Sequence, residues 1–100
     1  MTQALLSVQI LPRTPGGNDV IPYVDRAIGI IRESGVKYRV GPLETTMEGD
    51  LDQQLLAILK QMNEAMLEMG CESVLSQVKL LAGGPLASID KLLEKYPDGR

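Results

Sequence analysis

This 100-residue chain alternates apolar and polar residues along four short segments, and repeats apolar residues every three or four positions along three others. Alternation is typical of strands, and the longer spacing is typical of helices that bury one face. The pattern predicts strands at 3–11, 36–40, 44–49 and 72–82. It predicts helices from about residue 20 to 34, from 51 to 69 and from 86 to 96.

Cap and turn residues separate these segments. Asn18 or Asp19 can cap the first helix, and Pro22 is tolerated because the first helical turn has no intrahelical partners for its N–H groups. Asp50 stands where the second long helix begins, and Gln53 follows three residues later, as in a capping box. Gly35 and Gly70 are placed to end the two helices.

The resulting order, β-α-β-β-α-β with one further helix, is the split βαβ pattern of a ferredoxin-like α+β fold. It predicts one antiparallel sheet with two helices on one face, plus a short C-terminal helix, in a single domain over residues 1–100. The row Ala4, Leu6, Val8 and Ile10 is expected to face the helices. A stripe of Met62, Met66 and Met69 is expected to fill the core and not to bind a peptide.

The opposite face of this sheet is predicted to be polar at its centre, with four leucines around it. These are Leu5, Leu11, Leu75 and Leu81. Because bare leucines are a liability on a monomer, we expect a second subunit, the C-terminal helix, or both to cover them. The last strand is also long and apolar for an edge strand, which again favours a homo-oligomer.

Composition narrows the function classes. The 10 basic and 13 acidic side chains give a net charge of −3, so no basic footprint for nucleic acid is present. There is no apolar run of membrane-spanning length, and we expect a cytoplasmic protein. The chain has no histidine and one cysteine, Cys71, which excludes an internal disulfide and argues against a metal site or a catalytic thiolate. We therefore expect neither an enzyme nor a cofactor.

One run of residues, from Val40-Gly41-Pro42-Leu43 through Glu44-Thr45-Thr46-Met47-Glu48-Gly49-Asp50, resembles the signature of the small thiamine-binding, YkoF-like proteins. The Pro-containing loop after the first strand, Ser34-Gly35, Lys37-Tyr38 and Lys79 extend the resemblance over nearly the whole chain. The resemblance implies the same ferredoxin-like fold and assembly as a dimer of dimers. It also implies a small-molecule ligand, which is thiamine or its hydroxymethylpyrimidine part in some members.

An aminopyrimidine needs hydrogen-bond acceptors for its amine and small donors for its ring nitrogens. Thr46 and Glu48 share one face of their strand and are the favoured pair, whereas Thr45 points to the other face. Ser7 and Gln9 are candidates for a second wall, or are ordinary exposed polar residues. Tyr38 can stack on the ring, although Val36 and Val40 on its own row favour a core position.

Two other readings remain open at this point. A Thr-rich strand with a solvated Glu48 is also what an ordinary structural or regulatory oligomerisation domain would show, with no ligand. The alternative enzyme is an acylphosphatase-like hydrolase on the same fold. Such an enzyme would use Arg13 to bind an acyl phosphate and an asparagine to position water, although the local sequence around Arg13 does not match.

Overall fold

The computed structural model describes residues 2–14, 19–94 and 96. The strands are β1 (Gln3–Pro12), β2 (Lys37–Val40), β3 (Thr45–Asp50) and β4 (Val74–Ala82). Helix α1 is Ile21–Ser34, a π-helical turn at Leu51–Leu56 continues into α2 (Ala57–Glu68), and α3 is Ile89–Leu93. The predicted element order is confirmed, and α3 is shorter than the predicted helix over 86–96.

The four strands form one antiparallel sheet in the order β2-β3-β1-β4. Its register sets Ser7 of β1 opposite Thr46 of β3 on one side and opposite Lys79 of β4 on the other. Helices α1 and α2 cover one face, here called the inner face. Its fully buried side chains include Leu6, Ile30, Met47, Leu55 and Met66. The predicted ferredoxin-like architecture is therefore correct.

Helix α1 is capped by the side chain of Asp19, which precedes the N-cap residue Val20. Asp19 Oδ1 accepts a hydrogen bond of 3.0 Å from the N–H of Ile21, and Pro22 follows in the first turn as predicted. Asn18, the other predicted cap, lies outside the described residues. Gly35 ends the helix at φ 82°, a left-handed conformation that glycine adopts without steric cost.

The helix after β3 begins with a cap that differs from the predicted one by one residue. The Asp50 carboxylate accepts a 2.8 Å hydrogen bond from the N–H of Gln53. The N–H of Asp50 in turn donates a 2.8 Å hydrogen bond to the side-chain oxygen of Gln54, and not to that of Gln53. The first turn is π-helical and therefore wider, which brings a later residue over the cap. A Cβ on Gly49 would lie 2.5 Å from the Gln54 side-chain oxygen, so glycine makes room for this bond.

The methionine stripe was predicted correctly at two of its three positions. Met62 and Met66 are buried in the core, and Cys71 is buried beside them. Met69 is 38% exposed because it lies beyond the last residue of α2, where the chain turns away towards Gly70. The prediction of Met69 as a core residue was therefore wrong.

Helix α3 lies on the other face of the sheet, here called the outer face. Its first N–H, from Ile89, donates a 2.8 Å hydrogen bond to Glu48. Lys37 pairs with Asp90, and this hydrogen bond raises the pKa of the Lys37 ammonium group. Leu5 beneath α3 is only 6% exposed, whereas Leu75 and Leu81, at 59% and 42%, remain open to solvent. The C-terminal segment thus covers one part of the outer face and leaves the β4 side uncovered.

Candidate functional site

Strand β3 carries the two threonines of the signature run, and alternation sends them to opposite faces of the sheet. Thr46 lies on the outer face, opposite Ser7 of β1 and Arg39 of β2. Thr45 lies on the inner face, where it is 7% exposed. The predicted division of these two side chains between the faces is therefore what the register gives.

On the outer face, the polar candidates already have partners within the protein. The hydroxyl groups of Ser7 and Thr46 are hydrogen-bonded to each other. Glu48 accepts the N–H of Ile89, as described above. Glu44, at the end of the turn before β3, is 3.5 Å from the ammonium group of Lys79. This set of paired groups, Ser7, Thr46, Glu48, Glu44 and Lys79, is called the outer-face cluster below.

On the inner face, a cavity of about 270 Å³ opens between α1 and the end of the sheet. It is called the helix-side cavity below. Its walls are mostly apolar and come from β1, α1, the β2–β3 turn and α2. The lining residues are Val8, Gln9, Ile10, Val24, Ala27, Ile28, Ile31, Val40, Gly41, Pro42, Leu43, Glu44, Thr45 and Met62.

Thr45 supplies a hydroxyl group to this cavity, and that hydroxyl makes no side-chain hydrogen bond within the described residues. Every fully buried side-chain nitrogen or oxygen atom among those residues has a hydrogen-bond partner. Because the Thr45 hydroxyl has no such partner, it is not fully buried and can be reached from the cavity that Thr45 lines. A ligand that fills the cavity would cover this hydroxyl and must therefore offer it a hydrogen bond. Its neighbour Thr46 already has a partner in Ser7. The contrast makes Thr45 the one of these two threonines whose hydroxyl is free to bond a ligand.

Strand β1 contributes a second polar feature to the helix-side cavity. Its pairing with β3 ends at Val8 opposite Thr45, whereas β1 itself continues to Pro12. The carbonyl of Thr2 accepts from Leu51 on the β3 side, and that of Gln3 accepts from Gly83 on the β4 side. By this alternation, the N–H and C=O of Ile10 point to the β3 side, where no described strand residue lies opposite them.

Two predicted site residues remain, Gln9 and Tyr38. Gln9 borders the helix-side cavity, although its row on β1 is the outer one, opposite Gln77. Tyr38 is partly buried and packs against the core, as its row suggested. The sequence-based prediction did not consider the backbone of Ile10. The sequence does carry a signal for this unpaired stretch, because the first predicted strand is several residues longer than the third.

Three further expectations from the sequence concern a hydrolase site, a metal site and a membrane span. The backbone of Arg13 bonds to Ser73 and Glu72, and residues 15–18 of the loop that would hold an acyl phosphate lie outside the described part. No group of three or more His, Cys, Asp or Glu side chains suited to a metal ion occurs among the described residues. None of the helices in the described ranges is long and apolar enough to cross a membrane.

Comparison with known proteins gives a consistent picture. A sequence model of the family described as "Thiamine-binding protein" matches residues 6–82. The UPF0045 protein CPE1503 of Clostridium perfringens is 40% identical over 91 residues, which cover 91% of this chain and 94% of that protein.

Solved structures share the fold. A domain of unknown function, DUF77, from Bacillus cereus superposes with a TM-score of 0.84 at 37% identity, covering 96% of this chain and 91% of that one. A Thermotoga maritima protein, proposed to act in thiamine biosynthesis or salvage, superposes with a TM-score of 0.81 at 24% identity, covering 94% and 98%. The family match includes β3 and every lining residue of the helix-side cavity. The chain therefore belongs to the thiamine-binding protein family.

Proposed function

We propose that this protein binds thiamine or its hydroxymethylpyrimidine part in the helix-side cavity, without chemical turnover. The observation that carries the proposal is the Thr45 hydroxyl group, which belongs to a largely buried residue, faces the cavity and has no side-chain partner among the described residues. Membership of a family named for thiamine binding supplies the class of ligand. The Thermotoga maritima relative, with its proposed role in thiamine biosynthesis or salvage, is in keeping with that class.

The polar groups at the cavity suit the edge of an aminopyrimidine. That edge presents an amine donor next to a ring-nitrogen acceptor, which is complementary to a backbone C=O and N–H pointing the same way. Ile10 offers such a pair on the unpaired stretch of β1. The Thr45 hydroxyl can donate to a second ring nitrogen or accept from the amine.

The rest of the cavity suits the flat faces of the ring. Val24, Ile28 and Met62 line it with apolar surface, and sites for small molecules are typically apolar with a few convergent polar groups. Glu44 belongs to the lining at the β2–β3 turn, while its carboxylate pairs with Lys79 of the outer-face cluster. The volume of about 270 Å³ is sufficient for a ligand of this size.

The outer-face cluster is a weaker candidate for the same ligand. A ligand that bonded Thr46 would have to break the Ser7–Thr46 hydrogen bond, and one that bonded Glu48 would have to compete with the N–H of Ile89. Each exchange gives up one bond to make another, so little free energy is gained. We therefore assign Thr46, Glu48 and Ser7 to the support of the sheet and of α3.

The two adjacent threonines provide a matched test. Calorimetric titration with hydroxymethylpyrimidine and with thiamine should show that Thr45→Val weakens binding by about two- to tenfold, the value of one neutral hydrogen bond. Thr46→Val, which makes the same change one residue along, should leave the affinity unchanged. A larger loss in Thr46→Val would place the ligand on the outer face. Wild-type protein that binds neither compound at millimolar concentration would refute the ligand.

We further propose that the protein is a homo-oligomer that associates through the β4 side of the sheet. β4 is an edge strand of nine residues, and Leu75, Leu80 and Leu81 on it are each more than 40% exposed. Such an edge is open to pairing with another subunit. Because α3 covers the outer face near Leu5, a second copy meets the sheet on the β4 side. Light scattering at micromolar concentration should give at least a dimer, and a monomer would contradict the proposal.

A further inference from the structure

A second cleft adjoins the helix-side cavity at the end of the sheet. It has a volume of about 680 Å³ and lies between residues 10–13 of β1 and its extension, residues 73–75 at the start of β4, and the beginning of α1. It is called the end cleft below. Ile10 and Val24 line both the end cleft and the helix-side cavity, so the two spaces adjoin each other.

Among the described lining residues of the end cleft, Arg13 is the one with a charged side chain, and it is exposed. The backbone of Arg13 is fixed on both sides, because its N–H donates to Ser73 at 3.0 Å and its C=O accepts from the N–H of Glu72 at 3.3 Å. These two hydrogen bonds hold the backbone of Arg13 at the end of the sheet, so its side chain extends from a fixed position.

The Arg13 side chain has no ion pair or hydrogen bond in the described part of the protein, even to the carboxylate of Glu72. Several other basic side chains are paired: Arg26 with Glu33, Lys37 with Asp90, and Lys79 with Glu44. No carboxylate belongs to the described lining of the end cleft, so its charge is uncompensated. A cationic thiazolium ring gains nothing from such a cleft, whereas an anion does.

The distance between the two spaces fits a short anionic arm on the pyrimidine. Arg13 follows Ile10 by three residues, which corresponds to about 10 Å along an extended strand. A phosphate ester on the hydroxymethyl group, together with the long arginine side chain, spans such a gap. The planar guanidinium group suits the tetrahedral oxygens of phosphate because it can donate two parallel hydrogen bonds.

We propose that the end cleft binds the phosphate group of a phosphate monoester of the pyrimidine-bearing ligand, and that Arg13 determines this specificity. The inference rests on the proposed function, since it takes the pyrimidine to lie in the helix-side cavity beside Thr45. It makes the phosphorylated form the preferred ligand over the free alcohol.

Calorimetric titration can test this with two pairs of ligands: hydroxymethylpyrimidine and its phosphate, and thiamine and its monophosphate. For wild-type protein we expect hydroxymethylpyrimidine phosphate to bind about tenfold or more tightly than its free alcohol. Arg13→Gln should reduce that ratio to near one without changing the affinity for the alcohol. Arg39→Gln is the matched control, because Arg39 is an exposed arginine on the outer face and outside both spaces, and it should keep the wild-type ratio.

The outcomes separate this inference from the proposed function. A preference for hydroxymethylpyrimidine phosphate supports the inference, and a preference for thiamine monophosphate alone contradicts the short phosphate arm from which it is argued. If the alcohols bind and neither ester binds more tightly, or if Arg13→Gln keeps the preference, the role of Arg13 is refuted while pyrimidine binding stands. If no compound of either pair binds, both proposals fail together.

Discussion

The two faces of one sheet treat the same kind of residue differently. On the outer face, the Thr46 hydroxyl bonds Ser7, and Glu48 bonds the first N–H of α3. On the inner face, the Thr45 hydroxyl lies beside a cavity and has no such bond within the described residues. Polar groups on a solvated face cost little whether paired or not, but a hydroxyl at an apolar cavity requires a partner once a ligand excludes water. The unpaired threonine is therefore the more informative one about ligand binding.

The largest predicted effect compares a leucine on the inner face of the sheet with a leucine on its outer face. Leu6→Ala removes a side chain that is 0% exposed on the inner face, and should lower the free energy of unfolding by about 2–5 kcal/mol. Leu81→Ala is the control on the outer face, where the side chain is 42% exposed, and should cost about 0.5 kcal/mol or less. Urea unfolding measured at low protein concentration compares the two. Equal losses would mean that both faces are buried in the folded protein.

The next effect concerns association. Leu81→Lys places a charge on the β4 side of the outer face, so it should weaken self-association about tenfold or more. The stability of the separated subunit should hardly change, because the position is already open to solvent. Sedimentation equilibrium measures the association constant. If Leu81→Lys assembles as well as the wild type, the surface by which copies meet lies elsewhere.

Much of the fold could be predicted because the strand pattern fixes which residues share a face. The inner row of β1, from Ala4 to Val8, and the split of Thr45 from Thr46 both follow from a period of two. The shift of the cap partner from Gln53 to Gln54 could not be predicted, because nothing local in the sequence marks the wider π-helical turn. The exposure of Met69 depends in the same way on where the helix stops.

The site was less accessible to prediction than the fold. The sequence identifies Thr46 and Glu48 as neighbours on one face, but it does not show that Ser7 and the backbone of Ile89 already use their bonding capacity. Those partners are 39 and 41 residues away in the sequence. The unpaired stretch at Ile10 likewise arises from the unequal lengths of β1 and β3 once they are paired.

A smaller effect is expected from the contact that holds α3 to the outer face. Glu48→Ala removes the acceptor for the N–H of Ile89 and should cost about 1 kcal/mol of stability, whereas Glu48→Gln keeps an acceptor oxygen and should cost less. Amide hydrogen exchange of residues 89–93 should speed up in Glu48→Ala. Binding of hydroxymethylpyrimidine should be unaffected. A loss of binding in Glu48→Ala with α3 still protected would return the ligand to the outer face.

The smallest effect concerns the far end of β3, where Asp50 connects the sheet to the next helix. Hydrogen bonds from the N–H of Gln53, and then from that of Thr2, hold the pKa of the Asp50 carboxyl group below its usual value, against the opposing effect of burial. The unfolded chain therefore binds this proton more readily than the folded one. The stabilisation is present above the usual aspartate pKa of about 4 and is lost as the pH falls through the lowered value.

Asp50→Asn keeps a side chain that can cap a helix, so near pH 7 it should unfold at nearly the wild-type temperature. Below about pH 4, its unfolding temperature should fall less steeply than that of the wild type. Parallel curves for Asp50→Asn and the wild type, followed by circular dichroism, would show that the two hydrogen bonds do not favour the ionised form.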